Sequence, residues 1–184
     1  DALPISGGIL GRGQMGTTFV GCKNYGDVTA NYDNIGGICG QVASTTGGGT
    51  ITNCENHGTI TALSKTNTGG IIGSVPSNAT EDVIISNCIN CGNVSATKHI
   101  GGIVGHLYTA FVKNCLNLGT INGTENVGGI TGHNETHVEI SNSFNAGEII
   151  GSGIAGNLAG SSSCTNCLNI GKATSAIRGA GNTP

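Results

Sequence analysis

Eight cysteines, five histidines and ten carboxylates are the residues of this 184-residue sequence suited to binding a metal, attacking a substrate or moving a proton. Cys88-Ile-Asn-Cys91 and Cys164-Thr-Asn-Cys167 each have the two-residue gap of half a zinc site. Yet Cys22, Cys54, Cys88, Cys115 and Cys167 recur at one position of a repeated pattern, and Cys164 stands where most other copies carry Ile or Val. A file of this kind reads as small apolar side chains filling a narrow core as free thiols. The two Cys pairs fall three copies apart, about 14 Å at the spacing of stacked strands, and side chains stacked in parallel disfavour the dihedral of a disulfide.

His106 and His133 both follow a Gly-Gly-Ile-x-Gly block, with His137 a few residues on. They are expected to be vertical neighbours, at a spacing that suits a metal, but Gln41, Ser74 and Asn157 at the same position point to a polar slot facing outward. Among the acids, Glu81-Asp82 is the one adjacent pair and lies in a loop, and no pattern joins Glu135 or Glu139 to it. The paired acids of glycoside hydrolysis and the regular acids of a calcium site are missing. The expectation is a chain with no catalytic residue, no metal and no cofactor.

The elements that position these residues follow from self-similarity. Ile51-Thr-Asn53-Cys54-Glu-Asn56-His-Gly58-Thr-Ile60 is matched by Ile85 to Val94, Val112 to Ile121, Ile140 to Ile149, Cys164 to Ala173 and, at the start, Phe19 to Val28. Gly36-Gly-Ile-Cys-Gly40, Gly69-Gly-Ile-Ile-Gly73, Gly101-Gly-Ile-Val-Gly105 and Gly128-Gly-Ile-Thr-Gly132 alternate with these units, with a degraded copy at Ser152 and an orphan at Gly7. Apolar residues come in runs of two or three between Gly and Asn, with no 3.6-residue period, and a helix interior would lose about 1 kcal/mol at each Gly. The expected fold is all-β: a parallel β-helix, or β-solenoid, of about six turns with three short strands per turn. Residues 1–184 form one repeat domain, expected to be a segment of a longer chain or a stacking protomer, and six turns at about 4.8 Å make a rod about 29 Å tall.

Asn tolerates left-handed backbone and its amide bonds to an identical amide above and below. Asn53, Asn87, Asn114, Asn142 and Asn166 are expected to form a ladder at a bend, with Asn24, Asn56, Asn90, Asn117, Asn145 and Asn169 as a second candidate file. Gly is expected where φ is positive or where backbones approach closely. If the Cys file faces inward, alternation places Ile89, Leu116, Phe144 and Leu168 outward as an apolar interaction stripe; if a bend at Asn reverses the alternation, they are core and the Cys file faces solvent. The longer excursions, Gln41 to Gly49 and Ser74 to Asp82, should lie side by side on one flank.

The Asn-Cys-x-Asn-x-Gly stretches and the intervening Gly-Gly-Ile-x-Gly blocks, clearest at 101–105, resemble the GLUG repeat of secreted and surface proteins of bacteria. That family includes the region preceding the catalytic part of some IgA-cleaving metallopeptidases. The resemblance covers nearly the whole chain. It implies an extracellular β-helix acting as stalk, adhesive surface or accessory domain, without an active site, and no His-Glu-x-x-His occurs here. Ser143 in place of Cys, and the closing Gly179-Ala-Gly181, depart from the pattern.

A net charge of −3 with seven scattered Lys and Arg gives no basic face for nucleic acid. No stretch approaches the roughly 18 apolar residues of a membrane span. The functional expectation is a non-catalytic structural or adhesive domain at the cell surface, whose partner is a protein or glycan or a further copy met end to end or laterally. The alternative is an accessory substrate- or glycan-binding domain of a surface peptidase or polysaccharide-active enzyme.

Overall fold

The computed structural model describes residues 6–14, 16–42, 48–63, 66–76, 82–151, 157–158 and 162–174. All its strands pair in parallel, and they form five sheets, each made of one short strand from every turn. The first sheet contains Thr18–Val20, Gly49–Thr52, Val83–Ser86, Ala110–Lys113, Val138–Ser141 and Ser163–Thr165. Lys23–Asn24 opens the second, Val28–Ala30 the third, Ser6–Gly7 followed by Ile35–Gly36 the fourth, and Leu10–Gly13 followed by Cys39–Val42 the fifth. Sheets of five or six strands make a β-solenoid of between five and six turns.

The three expected segments of each turn are present, and two of them divide at a bend. Cys-x-Asn-x-Gly-x-Ile supplies the second and third sheets, and the Gly-Gly-Ile-x-Gly block supplies the end of the fourth and the start of the fifth. Register is strict. Phe19, Ile51, Ile85, Val112, Ile140 and Cys164 pair in sequence up the first sheet, and all but Cys164 are buried. A one-residue slip would turn this whole column to solvent, so the apolar pattern fixes the pairing.

The corners are built by residues with positive φ. Asn53, Asn87, Asn114, Asn142 and Asn166, with φ between 48° and 55°, turn the chain from the first sheet to the second, and Gly21 takes the same role in the first turn. These five Asn do stand at a bend, but they are not the amide ladder. All are exposed, and among the described residues the amide bond running along this file joins Asn166 Nδ2 to Asn142 Oδ1 at 3.3 Å. A left-handed corner directs its side chain into water, where a neighbouring amide offers little beyond what solvent provides.

The ladder lies in the second file, on the inward side of the second sheet. Nδ2 of Asn24, Asn56, Asn90, Asn117 and Asn145 each donates to Oδ1 of the next Asn at 2.6–2.8 Å. Each of these nitrogens also donates to the carbonyl of the Gly two residues on, at 2.7–2.9 Å. Asn56, Asn90 and Asn117 are wholly buried, so pairing along the axis is what makes their burial tolerable.

The ladder is seated against the second Gly of each Gly-Gly pair. A Cβ at Gly37, Gly70, Gly102 or Gly129 would overlap the side chain of Asn56, Asn90, Asn117 or Asn145. This Asn–Gly contact forms a waist across the rod. One apolar cluster, with Ile38, Ile51, Ile71, Ile85, Ile103 and Val112, is distinct from a smaller one with Ile35, Ile60, Val94, Ile100 and Ile121.

Cys54, Cys88 and Cys115 are buried in the larger cluster, with Cys22 and Cys167 packed at its ends. All eight cysteines are free thiols. Cys54, Cys88, Cys115 and Cys167 each donate to the carbonyl two residues back at 3.3–3.5 Å. Ser143 keeps that bond with its hydroxyl, at 3.0 Å to Ser141. Burial holds Cys39 up at about 11, and the bond with Cys115 together with burial pushes Cys88 up to about 12, so neither is a nucleophile at neutral pH.

Candidate functional site: an outer apolar face and a histidine groove

With the thiol file inward, Ile89, Leu116, Phe144 and Leu168 lie on the outer face of the second sheet and stack in register. The first three are half-buried, and Leu168 is 56% exposed. The sequence reading missed a second outward column two residues further along each unit, where Leu118 is 48% and Ile170 65% exposed. The period-2 alternation that placed the first column would have found it. Together the columns make an apolar face over the later turns. The earlier turns are polar at the same positions: Lys23 pairs with Glu55 at 2.9 Å, His57 with Glu55 at 2.9 Å, and Tyr25 stacks on His57.

The longer excursions leave the fifth sheet and enter the first at adjacent places, since Gln41 pairs with Ser74 and Gly49 with Val83. Residues 43–47 and 77–81 of those excursions lie outside the described residues.

The second site begins with another set of left-handed corners, at Asn34, Asn67, His99 and Asn126, with φ between 53° and 62°. The sequence signals this set, because each member stands two residues before a Gly-Gly-Ile block. The last Gly of the block one turn later lets the corner approach the fifth sheet. A Cβ at Gly105 would overlap the backbone of Asn67, and one at Gly132 the backbone of His99.

That approach encloses the file Gln41, Ser74, His106 and His133, which stack in register as expected. The file is not a solvated outward slot. Gln41 and Ser74 are buried, and the side chains of His106 and His133 are only 21% and 15% exposed. The corner residues overhang the file, leaving a groove of about 420 Å³ lined by Asn34, Asn67, Ser74, Pro76, His106 and Tyr108, among others.

Three imidazoles meet there. His99 stacks on His133 with ring centres 4.6 Å apart, and His106 lies 5.3 Å from His99 and 5.2 Å from His133. Glu135, for which the sequence offered no partner, reaches back from the end of its strand. Its Oε1 is 3.0 Å from His133 Nε2 and 3.4 Å from His106 Nε2. His99 Nδ1 is 2.9 Å from Asn67 Oδ1, while Asn67 Nδ2 donates to Asn34 Oδ1. An amide oxygen only accepts, so Nδ1 of His99 carries the proton and the neutral ring keeps its lone pair on Nε2.

Burial is the main cause that lowers His99, to about 4, helped by repulsion from His133, His106 and Lys98 and opposed by Glu125. Burial also lowers His106, and the hydrogen bond from His133 lowers Glu135. As pH falls below the ordinary His value of about 6.5, the unfolded chain takes up a proton that folded His99 refuses until about pH 4. Stability present above pH 6.5 is thus lost as pH falls through that window. For a half-exposed ring the loss is about 1–2 kcal/mol after screening by solvent. Denaturant melts at pH 7 and pH 5 in the presence of a chelator should show this loss. His99→Asn, which restores the corner residue of the other turns, should show less of it, and equal losses would discount the His99 contribution.

Among the described residues, no helix is long and apolar enough to cross a membrane. No protein-family model, no curated protein and no solved structure matches the chain.

Proposed function

We propose that this chain is a non-catalytic repeat domain of the GLUG kind, a rigid structural or adhesive rod working outside the cell or on its surface. The observation that carries the reading is the outer apolar face. Ile89, Leu116, Phe144 and Leu168, flanked by Leu118 and Ile170, are held in register on a parallel sheet whose inward amides are already paired. A contiguous exposed apolar patch marks a contact surface. The scarcity of charge, 9% of residues, leaves little electrostatic steering, which suits an adhesive contact made slowly and held.

The test is a variant with Leu118, Leu168 and Ile170 all replaced by Ser, which removes three of the most exposed apolar side chains of the face. Exposed substitutions of this type change stability by about 0.5 kcal/mol each or less. The triple variant should stay folded by circular dichroism and lose self-association in sedimentation velocity, or adhesion to protein- and glycan-coated surfaces, by about tenfold or more. Adhesion untouched by the triple substitution, or turnover of a peptide or glycan by the unaltered chain, would overturn the reading.

A further inference from the structure

We propose that His106, His133 and Glu135 form a binding site for a divalent transition metal of the zinc type, pinning two successive turns and leaving one coordination position open to the groove. The inference does not depend on the outer face or on the rod's role.

Geometry is the first support. Three donor atoms, two imidazole nitrogens and a carboxylate oxygen, lie within 4.8 Å of one another. Ligand atoms about 2.0–2.1 Å from a tetrahedral zinc stand about 3.3 Å apart. The separations of 3.0 and 3.4 Å from Glu135 Oε1 to the two Nε2 atoms already have that length. Two of the three donor separations thus already match those around a bound zinc ion.

The second support is an unsatisfied atom. His106 Nε2 is buried and makes no hydrogen bond, since its 3.4 Å approach to Glu135 falls outside hydrogen-bond geometry. A buried ring nitrogen without a partner is destabilising, and a coordinated cation would satisfy it.

The third is the register. His106 and His133 occupy one position in consecutive turns, so strand pairing fixes their separation along the axis. The same position in the two earlier turns is Gln41 and Ser74, so the rod does not require His there. Two neutral nitrogens and one carboxylate select a borderline cation over calcium or magnesium, which prefer six or more oxygens.

Titrating the metal-free full chain with Zn²⁺ by calorimetry, and measuring bound metal by elemental analysis after dialysis, tests the site. One zinc per chain is expected, with a rise in thermal midpoint, and no comparable binding of Mg²⁺ or Ca²⁺. Co²⁺ should give the visible absorption of a four-coordinate ion. His106→Ser and His133→Gln place at each position a residue that other turns carry there, which protects folding, and each should weaken zinc binding by about 100-fold. Glu135→Gln should weaken it as well, whereas His57→Ala, on the second sheet, should not. Less than a tenth of an equivalent of zinc, or binding that survives both His substitutions, would overturn the proposal.

Discussion

Asn90→Leu is expected to destabilise the domain by about 4–6 kcal/mol, from the loss of several buried hydrogen bonds at about 1–3 kcal/mol for each group left unpaired. Asn90 is wholly buried. It accepts from Asn56 Nδ2 at 2.8 Å and donates to Asn117 Oδ1 and to the carbonyl of Gly92, both at 2.8 Å. Leu supplies none of these bonds, and its branched end would press on Gly70, already in contact with the Asn90 side chain. A domain of this size is stable by about 5–15 kcal/mol, so the variant should be largely unfolded at modest denaturant. Asn87→Ala, at the exposed corner three residues earlier, should cost about 1 kcal/mol, from the left-handed backbone that Ala tolerates less well. Urea melts of the two variants provide the measurement. A loss under 1 kcal/mol for Asn90→Leu would mean that the ladder is not what holds the turns together.

Gly92→Ala and Gly26→Ala should differ by about 2–3 kcal/mol although they alter the same repeat position, because forcing one methyl into a packed interior costs about 1–3 kcal/mol. A Cβ at Gly92 would overlap the Gly58 carbonyl of the turn beneath. One at Gly26 would meet only Asn24 Oδ1, 3.9 Å away, because no earlier strand precedes Lys23–Asn24 in its sheet. Neither Gly has a positive φ, so the contrast isolates space from backbone freedom. Thermal melts showing the two variants equally stable would mean that successive turns can slide apart here at no cost.

Much of the fold was legible because the apolar residues repeat at strand positions and only a stack of turns makes such a repeat useful. Alternation put the thiols and Ile89, Leu116, Phe144 and Leu168 on opposite faces, and which of the two faces inward rested on whether the bend at Asn reverses the alternation. The choice between the two Asn files was not legible. Asn suits both a left-handed corner and a buried amide ladder, and spacing alone does not say which file faces inward. Gly posed the same ambiguity. At Gly37, Gly70, Gly102 and Gly129 the reason is the approach of an Asn side chain, whereas at Gly21 it is a φ of 65°. The groove was hidden for a different reason. His106 and His133 were placed correctly as neighbours, but His99 joins them from a corner where the other turns carry Asn, and Glu135 joins from a strand end.

The amide ladder keeps its 2.6–2.8 Å steps although consecutive rungs are separated by 32, 34, 27, 28 and 24 residues. Pitch is therefore uncoupled from perimeter. Segments can lengthen or shorten at the corners over evolutionary time without altering the rise from one layer to the next. A molecule constructed this way can diversify what it presents sideways while its vertical ruler stays constant, and foreign peptides grafted between the fifth and first sheets would inherit that constancy.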